Sequence, residues 1–162
     1  MQNAKDTFYI TLRSRLATVN PVRTMMLRAV TRPGILVSDA EAPMAQPQLD
    51  AFALSWTGFE ADLQLPAILA QMTCEIQYST AGTQTNSGLD RGRCLEEMDY
   101  EMLRILYPYS AQKMNYTQSP AAPMETMVFW SEPVFSPAAS LRGRLSRTAK
   151  VTVFAFQEQG EQ

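Results

Sequence analysis

Histidine is absent from this chain of 162 residues, and cysteine occurs only twice. The first absence removes the commonest general base, the commonest zinc ligand and every Ser-His or Cys-His nucleophile pair. Cys74 and Cys94 are too few for a four-cysteine metal site and lack CxxC spacing. We interpret both as small buried hydrophobic residues, with a disulfide as the minor alternative. We therefore expect no enzymatic activity, no cofactor and no metal.

Long apolar runs and a strong excess of positive charge are also missing. Nowhere do eighteen uncharged apolar residues follow one another, which predicts no transmembrane helix. Asp6, Arg13 and Arg15 interrupt the N-terminal apolar residues, which argues against a signal peptide. The formal net charge of −2 gives no general attraction to nucleic acid. We expect no membrane partner, no specific nucleic-acid partner, and a protein that is cytoplasmic when it is made.

The remaining composition is typical of one folded domain. Hydrophobic residues make up 46% of the chain and charged residues 19%. A chain of this size buries roughly 70% of its unfolded surface, which is enough for a single core. We expect one domain over residues 1–162, with mobile loops near residues 38–50 and 110–125, where prolines and small polar residues cluster.

Two segments have helical periodicity. The first is short and amphipathic, with Asn3 or Asp6 as its cap and Asn20-Pro21 as its end. The second and principal helix follows a Ser-x-x-Asp capping signature at residues 87–90 and ends before Pro108. The apolar positions at helical spacing are Phe8, Leu12, Leu16 and Val19 in the first helix, and Leu95, Met98, Met102, Ile105 and Leu106 in the second.

Strand patterns account for most of the rest. Apolar and polar residues alternate strictly from Ile68 to Ser79, which predicts a long strand with one buried face. A last strand at residues 151–156, apolar on both faces, is predicted to be central in the sheet. Shorter strands are predicted at residues 23–30, 35–37, 51–57, 127–130 and 134–135, with a turn at residues 57–58. Together these elements predict an α+β fold, a largely antiparallel sheet with one long helix packed on one face and a short N-terminal helix.

Charge is segregated along the chain. Residues 1–32 contain six basic residues and one acid, whereas residues 39–62 contain five acids and no base. Opposite patches on neighbouring copies of a chain can meet in a heterologous contact that closes into a ring. As the alternative, these charges neutralise each other within one chain or face solvent. The candidate subunit-interface residues are Arg13, Arg15, Arg23 and Arg28 against Asp39, Glu41 and Asp50, together with Arg142, Arg144 and Arg147.

Closely spaced carboxyl and phenol groups leave a different class of function open. Asp90, Glu97, Tyr100 and Tyr107 could serve a small ligand-binding or enzymatic α+β domain. Such a function requires that these side chains converge in a concave pocket. Carboxylates on one helix face are more commonly solvated or paired with arginine.

The order of these elements resembles a known family. The features shared are the N-terminal helix over residues 8–19, the Arg32-Pro33 turn, an acidic loop, paired strands at residues 51–57 and 65–79, a long helix ending in Leu106-Tyr107-Pro108, and closing strands to Phe156. This arrangement is similar to the tail terminator proteins of long-tailed phages of the lambda type. The loops at residues 38–50 and 110–125 are longer here.

The resemblance implies an α+β subunit that forms a hexameric ring, ends the tail tube and presents a surface for joining to the head. Its implied partners are further copies of itself, the tail-tube protein and a head-completion protein, and its implied location is the virion tail. The family has no catalytic residues to transfer. Another head-tail connector or neck subunit remains the alternative within the same class.

Overall fold

A computed structural model describes residues 1–38, 48–64 and 66–161, and nine of the residues predicted to form the first loop, 39–47, lie outside that range. The α-helices are α1 (Gln2–Val19) and α2 (Arg91–Leu106), and a 3-10 turn spans Gln84–Asn86. The strands are β1 (Thr24–Leu27), β2 (Val30–Pro33), β3 (Ile35–Val37), β4 (Phe52–Asp62), β5 (Leu69–Thr80), β6 (Ser110–Asn115), β7 (Ala122–Trp130), β8 (Val134–Phe135), β9 (Ala139–Leu141) and β10 (Arg144–Phe156).

Eight strands form the main sheet, in the order β3-β4-β5-β10-β7-β6, with β8 and β9 also paired to β10. All of these pairs are antiparallel except β3 with β4. The α+β class and the largely antiparallel sheet are therefore confirmed. The last strand lies at the centre of the sheet, as predicted, but it begins at Arg144 because β9 pairs with Arg144 and β5 pairs with residues 145–156.

Both helices pack on the same face of this sheet. The predicted apolar positions Leu12 and Leu16 of α1 and Met98 and Ile105 of α2 are fully buried. Helix α1, which we expected to be short, has 18 residues and begins at Gln2, so neither Asn3 nor Asp6 caps it. Its first turn packs beneath the sheet, and this tertiary contact extends the helix beyond the periodic segment.

The core lies between the helices and the alternating faces of β5 and β10. The predicted alternation of β5 is confirmed, since Met72, Cys74 and Ile76 are buried. Phe8 of α1 contacts Trp130 edge to face, with ring centroids 5.1 Å apart. Burial raises the pKa of the Cys74 thiol. Cys74 and the half-buried Cys94 are both free thiols.

The expected mobile loop at residues 110–125 is largely a hairpin. It contains β6 and the start of β7, which pair with each other. The backbone N–H of Met114 donates to Thr7 Oγ1 at 3.0 Å, and Gln112 Nε2 donates to Met124 O at 2.7 Å. These polar residues form a strand because their hydrogen-bond partners lie elsewhere in the chain.

The predicted turn at residues 57–58 is a β-bulge inside β4. Trp56 faces Cys74 and Gly58 faces Thr73, so Thr57 is the extra residue. A Cβ atom on Gly58 would lie 3.0 Å from Thr73 Oγ1, which explains why glycine fits there. The bulge shifts the alternation by one residue, so that Phe59 lies on the same face as Met72.

The predicted strand over residues 23–30 is in fact a hairpin of β1 and β2. Its two-residue turn is Arg28-Ala29, with φ of 49° and 64°. Both residues have the positive φ of a type I′ turn, which normally selects Asn and Gly. The sequence lacks that signal, so the turn was not predicted.

Candidate functional site

The predicted interface arginines have different roles, and Arg15 serves the interior of its own chain. Its guanidinium donates to the carbonyl oxygens of Ile105, Leu106 and Pro108 at 3.0, 3.2 and 2.8 Å, and to that of Ser110 at 3.0 Å. The last carbonyls of a helix have no intrahelical partner, and a cation there also complements the helix dipole. Arg15 therefore joins α1 to the end of α2.

Arg23 is also committed to an internal contact. Its Nε donates to Oε2 of the buried Glu101 carboxylate, its Nη2 donates to Oε1 at 3.0 Å, and Asn20 Nδ2 donates to the same Oε1 at 2.6 Å. Arg23 Nη1 donates to the backbone oxygen of Asp50 at 3.2 Å, within one chain. This bidentate pair fixes the segment after α1 onto α2.

A third internal network includes Arg147. The Tyr78 hydroxyl donates to Asp99 Oδ1, and Arg147 Nη1 lies 3.0 Å from Asp99 Oδ2. Burial raises the pKa of Tyr78, and its hydrogen bond to the Asp99 carboxylate raises it further. The network ties α2 to β5 and β10.

The other predicted residues lie nearer the surface. Arg28 is exposed at the tip of the β1–β2 hairpin, and Arg142 is exposed in the turn between β9 and β10. Arg13 is half-buried on α1, Arg144 is half-buried on β10, and Asp50 is exposed with φ of 57°. Asp39 and Glu41 lie outside the described residues. Among residues that the structure describes, the candidates do not form one continuous patch.

The four residues of the ligand-binding alternative do not converge. Asp90 precedes α2 and Tyr107 follows it, so their backbones are ~25 Å apart along the helix axis. The Asp90 carboxylate accepts from Thr83 Oγ1 and N at 2.7 and 2.9 Å. Those hydrogen bonds lower its pKa to about 2. Glu97 and Tyr100 line a depression that is open to solvent on the outside of α2.

The sheet face opposite the helices is covered at its β3–β4 end, where Met25 packs on Leu36 and Ala53, and is open over the central strands in the part of the chain that the structure describes. Gln71 and Gln77 of β5 are exposed on it, and exposed Lys150 of β10 lies directly across from Glu75. Polar residues therefore line the middle of this open face, as the alternation in β5 predicts.

An apolar patch, not predicted from the sequence, lies on the same open face. Phe129 of β7 is the direct cross-strand partner of Phe154 of β10, and Phe156 is the next residue of β10 on that face. Phe129 is 49% exposed and Phe156 is 36% exposed. We call these three residues the phenylalanine patch. The sequence did not reveal this patch because residues 151–156 are apolar on both faces, so their pattern does not show which face is covered.

Two further exposed apolar regions lie at opposite ends of β4. The hairpin end comprises Val22, Met26 and Val30 around Arg28, and these three apolar side chains are 86%, 65% and 61% exposed. The β4–β5 end comprises Phe59 and Leu63, which are 59% and 73% exposed, with the exposed acids Glu60 and Asp62.

The β1–β2 hairpin is anchored near the start of β4 and not near its end. Gly34 N donates to Arg23 O at 2.9 Å, and Phe52 N donates to Gly34 O at 2.8 Å. Met25 of β1 packs with Leu36, Ala51 and Ala53 in a second small core. The two exposed apolar ends are therefore separated by the length of β4, which is about 30 Å.

No protein-family model matches the chain, and no curated protein is significantly similar to it. The described part of the chain holds no group of three Cys, Asp or Glu side chains placed to bind a metal ion. Its helices include none that is long and apolar enough to cross a membrane.

Proposed function

We propose that this chain is a structural assembly protein of a phage or prophage tail or neck, which forms a ring that ends the tail tube and joins it to the head. The observation that supports this most directly is the open sheet face with its phenylalanine patch. Contiguous exposed apolar surface, rimmed by polar residues, is typical of a protein contact site. Aromatic side chains are also enriched in the buried centres of interfaces.

The polar part of the same face suits a contact that is made during assembly. Lys150 and Glu75 lie side by side with exposed amides, so the face is hydrated before a partner arrives. A partner that covers it would bury the phenylalanine patch and leave these groups at the rim, which is the usual anatomy of such an interface.

The internal roles of Arg15, Arg23 and Arg147 refine the assembly hypothesis. These side chains hold α1, α2 and the sheet together, so we do not propose them as contacts between copies. Arg28 and Arg142 remain available at the surface. The charges that act between subunits would then be those at turn tips.

The resemblance in element order to lambda-type tail terminators supplies the rest of the proposal. The partners would be further copies in a hexameric ring, the tail-tube protein and a head-completion protein, without an enzymatic step or a cofactor. The protein would be cytoplasmic when made in a bacterial host and part of the virion tail afterwards. A different head-tail connector or neck subunit would use the same surfaces with other partners.

The test is the mass of the purified chain at tens of micromolar, measured by light scattering and native mass spectrometry, alone and with tail-tube protein. We expect a closed ring or a complex that caps tube ends in negative-stain images. Phe129→Thr should weaken that assembly, whereas Gln77→Thr, exposed on the same face, should not. A monomer that neither forms rings nor binds tube protein would refute the proposal.

A further inference from the structure

The two exposed ends of β4 carry opposite charge. Residues 20–34, which include the hairpin, contain three arginines and no acid. Residues 51–89, which include the β4–β5 end, contain three acids and no lysine or arginine. Each end also presents exposed apolar side chains. The chain thus has one basic apolar end and one acidic apolar end.

Of the three arginines at the hairpin end, Arg28 is the one whose guanidinium can contact a second copy. Arg23 is paired with Glu101, and Arg32 donates to Tyr9 Oη at 2.8 Å and to Ile35 O at 3.1 Å. Arg28 forms no ion pair or hydrogen bond with the residues that the structure describes. Its turn also places a non-glycine residue in the left-handed region, which keeps the guanidinium at the tip at a local conformational cost.

On the β4–β5 end, Glu60 and Asp62 lie on the same strand on either side of Ala61. Asp62 Oδ1 accepts from Gln64 N at 2.9 Å, while the Glu60 carboxylate is exposed. Side chains alternate along β4, so Phe59 lies on one face and Glu60 and Asp62 lie on the other. Among the described residues β3 pairs only with the start of β4, so one edge of residues 59–62 is open, and a hairpin lying along that edge would reach both faces.

We propose that the β1–β2 hairpin of one copy docks on the β4–β5 end of a second copy, with Arg28 facing Glu60 and Asp62, and with Val30 against Phe59 and Leu63. The two ends are about 30 Å apart in one chain, so they cannot meet within it. A contact between two different patches is heterologous, and it produces a ring when the rotation between neighbouring copies closes. This inference rests on the proposed self-association and identifies the surfaces that carry it.

Charge reversal tests the contact. Arg28→Glu and Glu60→Arg should each raise the dissociation constant of the assembly by about tenfold or more, because like charges then face each other. The double variant should recover most of the wild-type affinity, since the pair is restored with exchanged signs. Gln77→Glu serves as a control for added negative charge on an exposed strand residue. At a concentration low enough to keep every chain monomeric, circular dichroism should show the same thermal unfolding for all four variants.

Cross-linking tests the geometry without relying on charge. Arg28→Cys and Leu63→Cys chains, mixed and treated with a short bis-maleimide, should give a covalent dimer that neither variant gives alone. Assemblies unchanged by both charge reversals, or a mixed sample without that dimer, would overturn this contact while leaving ring formation intact. A wild-type chain that stays monomeric and does not bind tail-tube protein would instead overturn the proposed function and this contact with it.

Discussion

Replacement of Arg15 by alanine tests whether this residue belongs to the fold or to an interface. The change removes the guanidinium that donates to four carbonyl oxygens at the end of α2 and just beyond it. It also removes the cation stacked 5.4 Å from the ring centroid of Trp130. If our interpretation is right, the isolated chain loses stability.

The size of the stability loss depends on which carbonyl oxygens lose a hydrogen bond that water or another donor cannot replace. The oxygen of Pro108 is in an exposed contact and can bind water, and the oxygen of Leu106 keeps a hydrogen bond from Trp130 Nε1 at 2.8 Å. Two part-buried bonds, to Ile105 and Ser110, then remain to be counted. At about 1 kcal/mol each, with about 1 kcal/mol for the stacked cation, the free energy of unfolding should fall by about 3 kcal/mol. For a chain of this size, the Tm should fall by roughly 6–12 °C.

Urea unfolding followed by tryptophan fluorescence measures this change, since Trp130 is buried beside Arg15. Arg15→Lys keeps the charge but not the fork of donors, so it should lose about half as much. Arg28→Ala, at an exposed hairpin tip, is the matched control and should stay within about 0.5 kcal/mol of wild type. A loss below about 1 kcal/mol for Arg15→Ala, at an unchanged m-value, would show that the carbonyl contacts do not stabilise the fold.

Three further changes test other parts of the structure. Lys113→Met removes one of two cations at the buried Glu161 carboxylate and leaves the N-terminal ammonium 3.3 Å from Oε1, so it should cost about 1.5–3 kcal/mol in urea unfolding. Burial raises the pKa of Glu161, but its hydrogen bond with Lys113 lowers it, and the net shift is downward. The contact therefore stabilises the fold fully above the unfolded carboxyl pKa of about 4.3, and less as the pH falls through the lower folded pKa. In the Lys113→Met, Glu161→Gln double variant, the free energy of unfolding should depend less on pH in this acidic range. Ala29→Gly should stabilise the hairpin turn by about 1 kcal/mol because glycine adopts a positive φ without strain, and the urea midpoint should rise. An unchanged midpoint would contradict the positive φ at this position. Gly58→Ala should lose about 1 kcal/mol, and less when Thr73→Ala is also present; equal losses in both backgrounds would contradict the close contact.

The elements with regular periodicity could be predicted from the sequence. The apolar stripe of α2 and the alternation of β5 each repeat over more than ten residues, so local pattern and tertiary burial agree. The hairpin turn at Arg28-Ala29 and strand β6 could not be predicted. The turn uses residues without a positive-φ preference, and β6 is polar and becomes a strand only because β7 and α1 supply its partners.

For the candidate site, the sequence predicted which segments are charged but not which of their side chains are exposed. Segregated charge correctly marked the hairpin as basic, yet nothing local distinguishes Arg28 from Arg15 or Arg23. The difference depends on partners far away in the chain, at Ser110 for Arg15 and at Glu101 for Arg23. The exposed phenylalanines likewise depend on which face of β10 the helices cover. Tertiary packing of the helices against the sheet and against each other, which the sequence pattern does not specify, decides both.

The position of β10 also constrains how the protein is made. Among the residues that the structure describes, strands β3, β4 and β5 on one side, and β6 and β7 on the other, are joined in the sheet only through β10, which is translated after them all. Until the ribosome has delivered it, the nascent chain holds two incomplete sheets with unpaired edges, which are prone to pairing with other chains. Chains interrupted before residue 144 should consequently depend on chaperones or precipitate, and the native sheet should form late and in a single step.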